Sequence, residues 1–127
     1  MLQFYCIPTC STCKAAKKWL QQHQVELEEI NLKTNPPDKE TWIKILQQSD
    51  LPLKRFFNTS GTVYKERGLK EVIPDLTEQE AAELLASEGM LVKRPLILAD
   101  GNNLIGFKEE VYEAIWQKER ESVVNGE

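Results

Sequence analysis

Apolar and polar positions along the chain change period several times, and each change marks an element. Leu2-Gln3-Phe4-Tyr5-Cys6-Ile7 is short, apolar and aromatic, and Pro8-Thr9 closes it, which predicts a buried strand. The period then becomes helical. Cys13, Ala16, Leu20 and His23 fall on one side, and Lys14, Lys17, Lys18, Gln21 and Gln22 on the other, where the lysines read as a solvated face. Glu29-Ile30-Asn31-Leu32 alternates polar with apolar and predicts a second strand, completing a strand-helix-strand unit that favours parallel pairing.

Pro36-Pro37-Asp38 punctuates the chain, and Asp38 is a suitable N-cap for a helix carrying Trp42, Ile45 and Leu46 on one face. From Leu51 to Leu69 no single period holds. Thr77-Glu78-Gln79-Glu80 is a capping box, with Ala81, Leu84 and Leu85 as the stripe behind it and Gly89 as the expected C-cap. Pro95 to Ala99 and Asn103 to Phe107 flank Asp100-Gly101-Asn102, which predicts an antiparallel hairpin. Val111, Ala114 and Ile115 define a terminal helix, and Ser122 to Glu127 forms a polar end expected to fray. The class is α/β. With no repeat or linker, residues 1–127 read as one domain whose middle helices, about 36–92, form an insertion.

Composition narrows the function classes. A chain of 127 residues that is 41% hydrophobic and 28% charged can bury a core of its own. A net charge of -4 gives no global positive field for phosphate backbones, so direct nucleic-acid binding is not expected. Neither a signal peptide nor a membrane-spanning stretch is evident, and a cytoplasmic protein is expected. All three cysteines lie within the first 13 residues. In a reducing compartment such a cluster suggests catalysis or metal binding, since a structural disulfide would not persist.

Cys10-Ser11-Thr12-Cys13 sits at the predicted strand-to-helix junction. Helix N-termini carry unsatisfied amide donors and about half a positive charge, which stabilises a thiolate relative to the thiol. Cys10 stands at that tip with Lys14 nearby, and Cys13 lies one turn inside on the apolar stripe. This spacing suits an exposed nucleophile and a sheltered partner that resolves a mixed disulfide. The plainer reading makes both small core residues, and Cys6, inside a strand, reads as an inert buried thiol. Cys6-x3-Cys10-x2-Cys13 also has the spacing of the iron–sulfur ligands of radical enzymes that use adenosylmethionine, and His23 could complete a zinc set. Both alternatives need ligands converging from a flexible loop, whereas Cys6 is predicted in a strand and Cys13 in a helix. No bound metal or cofactor is expected.

The run from Tyr5 to Leu20, with Asn35-Pro36-Pro37, Phe56-Phe57-Asn58-Thr59-Ser60-Gly61 and Met90-Leu91-Val92-Lys93-Arg94-Pro95-Leu96, resembles the arsenate-reductase-like family, which includes Spx-type transcription regulators. The resemblance runs from Leu2 to about Trp116. It implies a thioredoxin-like fold, a mixed sheet of about four strands flanked by helices, with a helical insertion. It also implies a reactive cysteine at Cys10 and a cis proline at Pro95 facing it, with Arg94 projecting toward the thiol and Ser11, Thr12 and Pro95 contacting substrate.

Arsenate reductases of this type cradle the oxyanion with three arginines. Only Arg94 matches here, while Asn58 and Phe107 take the other two positions. The Cys10-Cys13 pair resembles the switch of Spx-type regulators and of glutaredoxin-like oxidoreductases. Polymerase-binding regulators carry a glycine where this chain reads Ser49-Asp50-Leu51-Pro52-Leu53-Lys54-Arg55, so binding to RNA polymerase is not supported. The leading expectation is a thiol-disulfide oxidoreductase, with glutathione, glutaredoxin or thioredoxin as reductant. An arsenate reductase and a redox-responsive regulator are the alternatives.

Overall fold

The computed structural model describes residues 2–99 and 102–117. Strand β1 (Leu2–Cys6) alternates between two buried faces, Leu2, Phe4 and Cys6 on one and Tyr5 on the other. It pairs in parallel with β2 (Leu27–Asn31) and antiparallel with β3 (Leu96–Ala99), which pairs antiparallel with β4 (Asn102–Ile105), giving the order β2-β1-β3-β4. The expected four-stranded mixed sheet is therefore present.

Helix α1 (Ser11–Gln22) covers one face, burying Cys13, Ala16, Trp19 and Leu20 against Phe4, Cys6 and Ile97. His23 ends this face, half-buried. It caps the helix, stacks its ring on Trp19 at 3.8 Å and places Nδ1 2.8 Å from the Trp19 carbonyl oxygen.

The other face of the sheet carries the middle helices. Asp38 caps α2 (Lys39–Gln48) by accepting the Thr41 N–H at 2.9 Å. The capping box at Thr77 and Glu80 closes with bonds of 3.0 and 3.1 Å and opens helix α5 (Glu78–Ser87). These helices bury Trp42, Ile45, Leu46, Ala81, Ala82 and Leu85 in a cluster with Tyr5 and Leu96.

Between them the chain makes a 3-10 turn (Leu53–Phe56), α3 (Thr62–Glu66), α4 (Leu69–Val72) and another 3-10 turn (Ile73–Asp75). Helices of four or five residues complete little more than one turn, so they leave no period to read. They are held instead by Phe56, Phe57, Tyr64, Leu69 and Ile73 in the same core.

Two expectations are corrected. Glu88, not Gly89, caps α5, and Gly89 opens a 3-10 turn (Gly89–Leu91) pressed onto the chain leaving β2. A Cβ at Gly89 would stand 2.0 Å from the Leu32 carbonyl oxygen, so only glycine allows this approach.

At the C-terminal end, α6 (Glu109–Tyr112) runs into a π-helical turn (Glu113–Gln117). This segment buries Tyr112 and Trp116 and exposes Val111 and Ala114, so of the predicted stripe only Ile115 packs against the core. The larger aromatics win the core, where they meet Trp19, and the Tyr112 hydroxyl donates to the Gly106 carbonyl at 2.9 Å. The Asp100-Gly101 turn and the 122–127 end lie outside the described residues. Among those described, no helix is long and apolar enough to cross a membrane.

Gly89→Ala is expected to destabilise the fold by about 2–3 kcal/mol, because the added methyl meets backbone, which cannot turn aside as a side chain can. Urea denaturation measures this. A loss below about 0.5 kcal/mol would show that the Leu32 contact relaxes freely.

Candidate active site

The register of the sheet gathers the site. Tyr5 lies opposite Leu96, and Leu96 opposite Ile105. The chain leaving β1 toward Cys10, the chain entering β3 through Arg94-Pro95, and the chain leaving β4 through Gly106-Phe107 therefore meet at one end of the sheet. The Arg94-Pro95 bond is cis. Pro95 is fully buried and its carbonyl accepts the Gly106 N–H at 2.8 Å, so that carbonyl is already paired.

Cys10 is the N-cap residue of α1, with extended backbone (φ -82°, ψ 118°) and a half-buried side chain. Its amide donates to the Ile7 carbonyl at 3.2 Å, and its carbonyl accepts from Lys14 at 3.1 Å, which holds the loop to the helix. The thiol opens into a cleft of about 240 Å³ that also contains Thr12, Asn58, Arg94 and Phe107. Asn58 and Phe107, at the two positions where the resemblance implies arginines, therefore line the same cleft as the Cys10 thiol. Ser11 is exposed beside it and does not line this cleft.

Three cations in the same cleft, Arg55, Lys93 and Lys108, escaped sequence reasoning. Lys93 and Lys108 immediately adjoin the positions singled out, Arg94 and Phe107, and Arg55 lies three residues before Asn58. Adjacency to a site position was the available signal. Lys93 passes over Gly106, whose φ of +77° lets the chain turn beneath it.

The thiols have opposed environments. Burial works to raise the Cys10 pKa, but it is outweighed by the Cys13 amide N–H and thiol and by the Arg94 guanidinium, and the net direction is down. The Cys10 sulfur closes no cap hydrogen bond of standard geometry, so this stabilisation is that of groups facing it at the helix tip. Of the two cations expected beside Cys10, Lys14 is exposed and Arg94 is the one that acts on the thiol.

Cys13, 2% exposed, is pushed far up by burial and then by its position as donor to Cys10. Cys6 is also raised, first by burial. Its thiol donates to Glu29 Oε1 at 3.6 Å, and Lys17 Nζ binds Glu29 Oε2 at 2.6 Å. Lys17 is therefore paired rather than merely solvated.

The sequence profile of the ArsC family matches residues 5–115. The chain belongs to the ArsC family. It is 48% identical over 115 residues to the uncharacterized protein YusI of Bacillus subtilis (strain 168), covering 91% of this chain and 98% of that protein. It is 29% identical over 110 residues to the global transcriptional regulator Spx of Streptococcus agalactiae, covering 87% of this chain and 79% of the regulator.

The crystal structure of a possible arsenate reductase from Streptococcus mutans UA159 superposes with a TM-score of 0.83 at 44% identity, covering 89% of this chain and 98% of that one. The fold of this ArsC-family chain is accordingly the thioredoxin-like one, a mixed four-stranded sheet with flanking helices.

Cys10 is expected to be alkylated first, with a pH midpoint below the free-cysteine value of about 8.5. Arg94→Ala removes a cation that favours the thiolate, so the midpoint should rise and the rate at pH 7 should fall. Mass spectrometry of brief iodoacetamide pulses across pH reads both. Preferential labelling of Cys6 or Cys13, or an unmoved midpoint, would contradict this assignment.

Proposed function

We propose that the protein is a thiol-disulfide oxidoreductase in which Cys10 is the nucleophile, Cys13 the resolving thiol and Arg94 the group that stabilises the Cys10 thiolate. The observation that carries this reading is the divergence of the two thiols. The one in the cleft is held toward thiolate, and the one beneath it is held as thiol. Paired groups whose environments drive them apart are the usual mark of divided labour in catalysis.

The Cys10 thiolate attacks a disulfide R–S–S–R′, forming a Cys10 mixed disulfide and releasing one thiolate. Cys13 then attacks Cys10, and the second thiolate leaves. The pair ends oxidised and the substrate as two thiols. Glutathione, or glutaredoxin or thioredoxin, would return the pair to its reduced state.

Anionic substrates are favoured. Arg55, Lys93, Arg94 and Lys108 line the cleft with no carboxylate among its lining residues. An adjoining cleft of about 350 Å³ shares Arg55, Asn58 and Lys93 and adds Lys54, Thr59 and Ser60, which gives room for the rest of an anionic thiol such as glutathione. Thr12, which lines the cleft, is the proposed substrate contact at the helix tip, with Ser11 exposed beside it, while Pro95, buried and with its carbonyl paired, positions Arg94 instead of touching substrate.

Arsenate is the weaker candidate, since Asn58 and Phe107 offer no guanidinium fork to an oxyanion. Two missing charge-assisted bonds, at about 1.5–3 kcal/mol each, correspond to a rate loss on the order of 10²- to 10⁴-fold. The similarity to Spx supports a second reading, in which the same Cys10-Cys13 switch reports oxidant to a protein partner.

Glutathionylated peptide, insulin and arsenate offered in parallel to the reduced protein separate these readings. Turnover of the glutathionylated peptide is expected, with loss in Cys10→Ser and a trapped mixed disulfide in Cys13→Ser. Arsenate turnover should be weak and should rise when Asn58→Arg and Phe107→Arg are combined. One oxidation per chain without turnover would favour the regulator, and robust arsenate reduction by the unaltered protein would favour the reductase.

A further inference from the structure

The resolving step leaves a proton to be placed. Cys13 must lose its S–H proton to attack Cys10, yet it is 2% exposed. Its polar neighbours can be taken in turn. Cys10 is then in a disulfide and accepts nothing. The Ile7 amide is a donor. Tyr112 commits its hydroxyl proton to Gly106 and is itself held protonated by burial. Cys6 remains.

Cys6 and Cys13 are buried in the same cluster, close enough that each shifts the other's proton affinity. Its proton points to Glu29, which is bound in turn by Lys17. The Glu29 side chain is 44% exposed and that of Lys17 36%, so this chain of groups begins at a closed thiol and ends in water.

We propose that Cys6 and Glu29 form a proton relay for Cys13, with Lys17 holding the Glu29 carboxylate in place. The inference rests on the thiol-disulfide reading above. As Cys13 attacks, its proton passes to the Cys6 sulfur while the Cys6 proton passes to Glu29, which gives it up to solvent. The Cys13 electron pair forms the bond to Cys10, the bond between Cys10 and the substrate sulfur breaks, and that sulfur leaves with the electrons as thiolate. No further oxidant or reductant enters. On reduction of the Cys10-Cys13 disulfide, the same groups return a proton to Cys13.

Three features fit this role better than an inert core. Glu29 lies opposite Phe4 in the parallel register, which places it on the α1 side of the sheet within reach of the Cys6 thiol. Lys17 lowers the Glu29 pKa, which keeps the carboxylate ionised at neutral pH at some cost in basicity, and its ion pair holds the carboxylate at the Cys6 thiol. Cys6 has both a donor and an acceptor function, and alanine at its position would have neither.

Stopped-flow measurement separates the two chemical steps. The probe is an aromatic glutathione mixed disulfide whose first leaving group is coloured, followed by quench and mass analysis of the Cys10 adduct. Glu29→Gln should leave adduct formation unchanged and slow adduct resolution at pH 7 by at least about tenfold, toward the low end of general acid-base effects. The deficit should shrink as pH rises and hydroxide takes over.

Cys6→Ala should show the same defect, and Cys6→Ser, whose hydroxyl can pass a proton, should recover much of the rate. Thermal melts accompany each variant, and a stability change alone would not produce a pH-dependent deficit confined to one step. Resolution at the original rate in Glu29→Gln, or equal rates in Cys6→Ala and Cys6→Ser, would overturn the relay while leaving the oxidoreductase reading intact. Failure of the unaltered protein to form or resolve the adduct would overturn that reading instead.

Discussion

The pairing of β1 on both of its edges is the constraint from which the site follows. Its parallel partner β2 requires the chain to cross over through α1, and this crossover places a helix N-terminus just beyond the end of β1. Its antiparallel partner β3 must begin where β1 ends, so Arg94 and Pro95 arrive at the same edge. The β4 return then delivers Gly106 and Phe107. No side chain needs to reach far, because backbone hydrogen bonding has already brought the three connections together.

Within that frame, burial sorts three chemically identical groups. Cys6 and Cys13 are almost fully enclosed, while Cys10 is half-buried at the helix tip. Enclosure disfavours the charged form of a thiol, and the helix N-terminus and Arg94 favour it. One fold thus holds a thiolate-prone sulfur next to two protonated ones. Cysteine alone does not specify this difference; position along β1 and α1 does.

Features governed by local chemistry were legible in the sequence. The Asp38 cap, the Thr77-Glu80 capping box, the two flanks of the hairpin and the Cys10-Cys13 pair each depend on residues within a few positions of one another. Features settled across the fold were not. Gly89 looked like a helix cap because its glycine was visible and the Leu32 carbonyl it meets was not. The terminal stripe was only partly legible, Ile115 packing as expected, because Trp19, against which Tyr112 and Trp116 pack, lies near the other end of the chain. Lys17 looked solvated because Glu29, 12 residues on, becomes its neighbour only when β2 pairs with β1. Arg55 sits in the stretch with no readable period, where nothing short of the fold reveals which way a residue faces.

The two hydrophobic clusters on opposite faces of the sheet divide labour in a way that bears on how such a protein can diverge. The three thiols lie with α1, and Arg55 and Asn58 come from the helical segment packed on the other face. Sequence drift in that segment can change the molecules admitted to Cys10 while the sulfur chemistry stays as it is. A cleft wall supplied by a separate packing layer can be rebuilt without disturbing the layer that encloses the sulfurs.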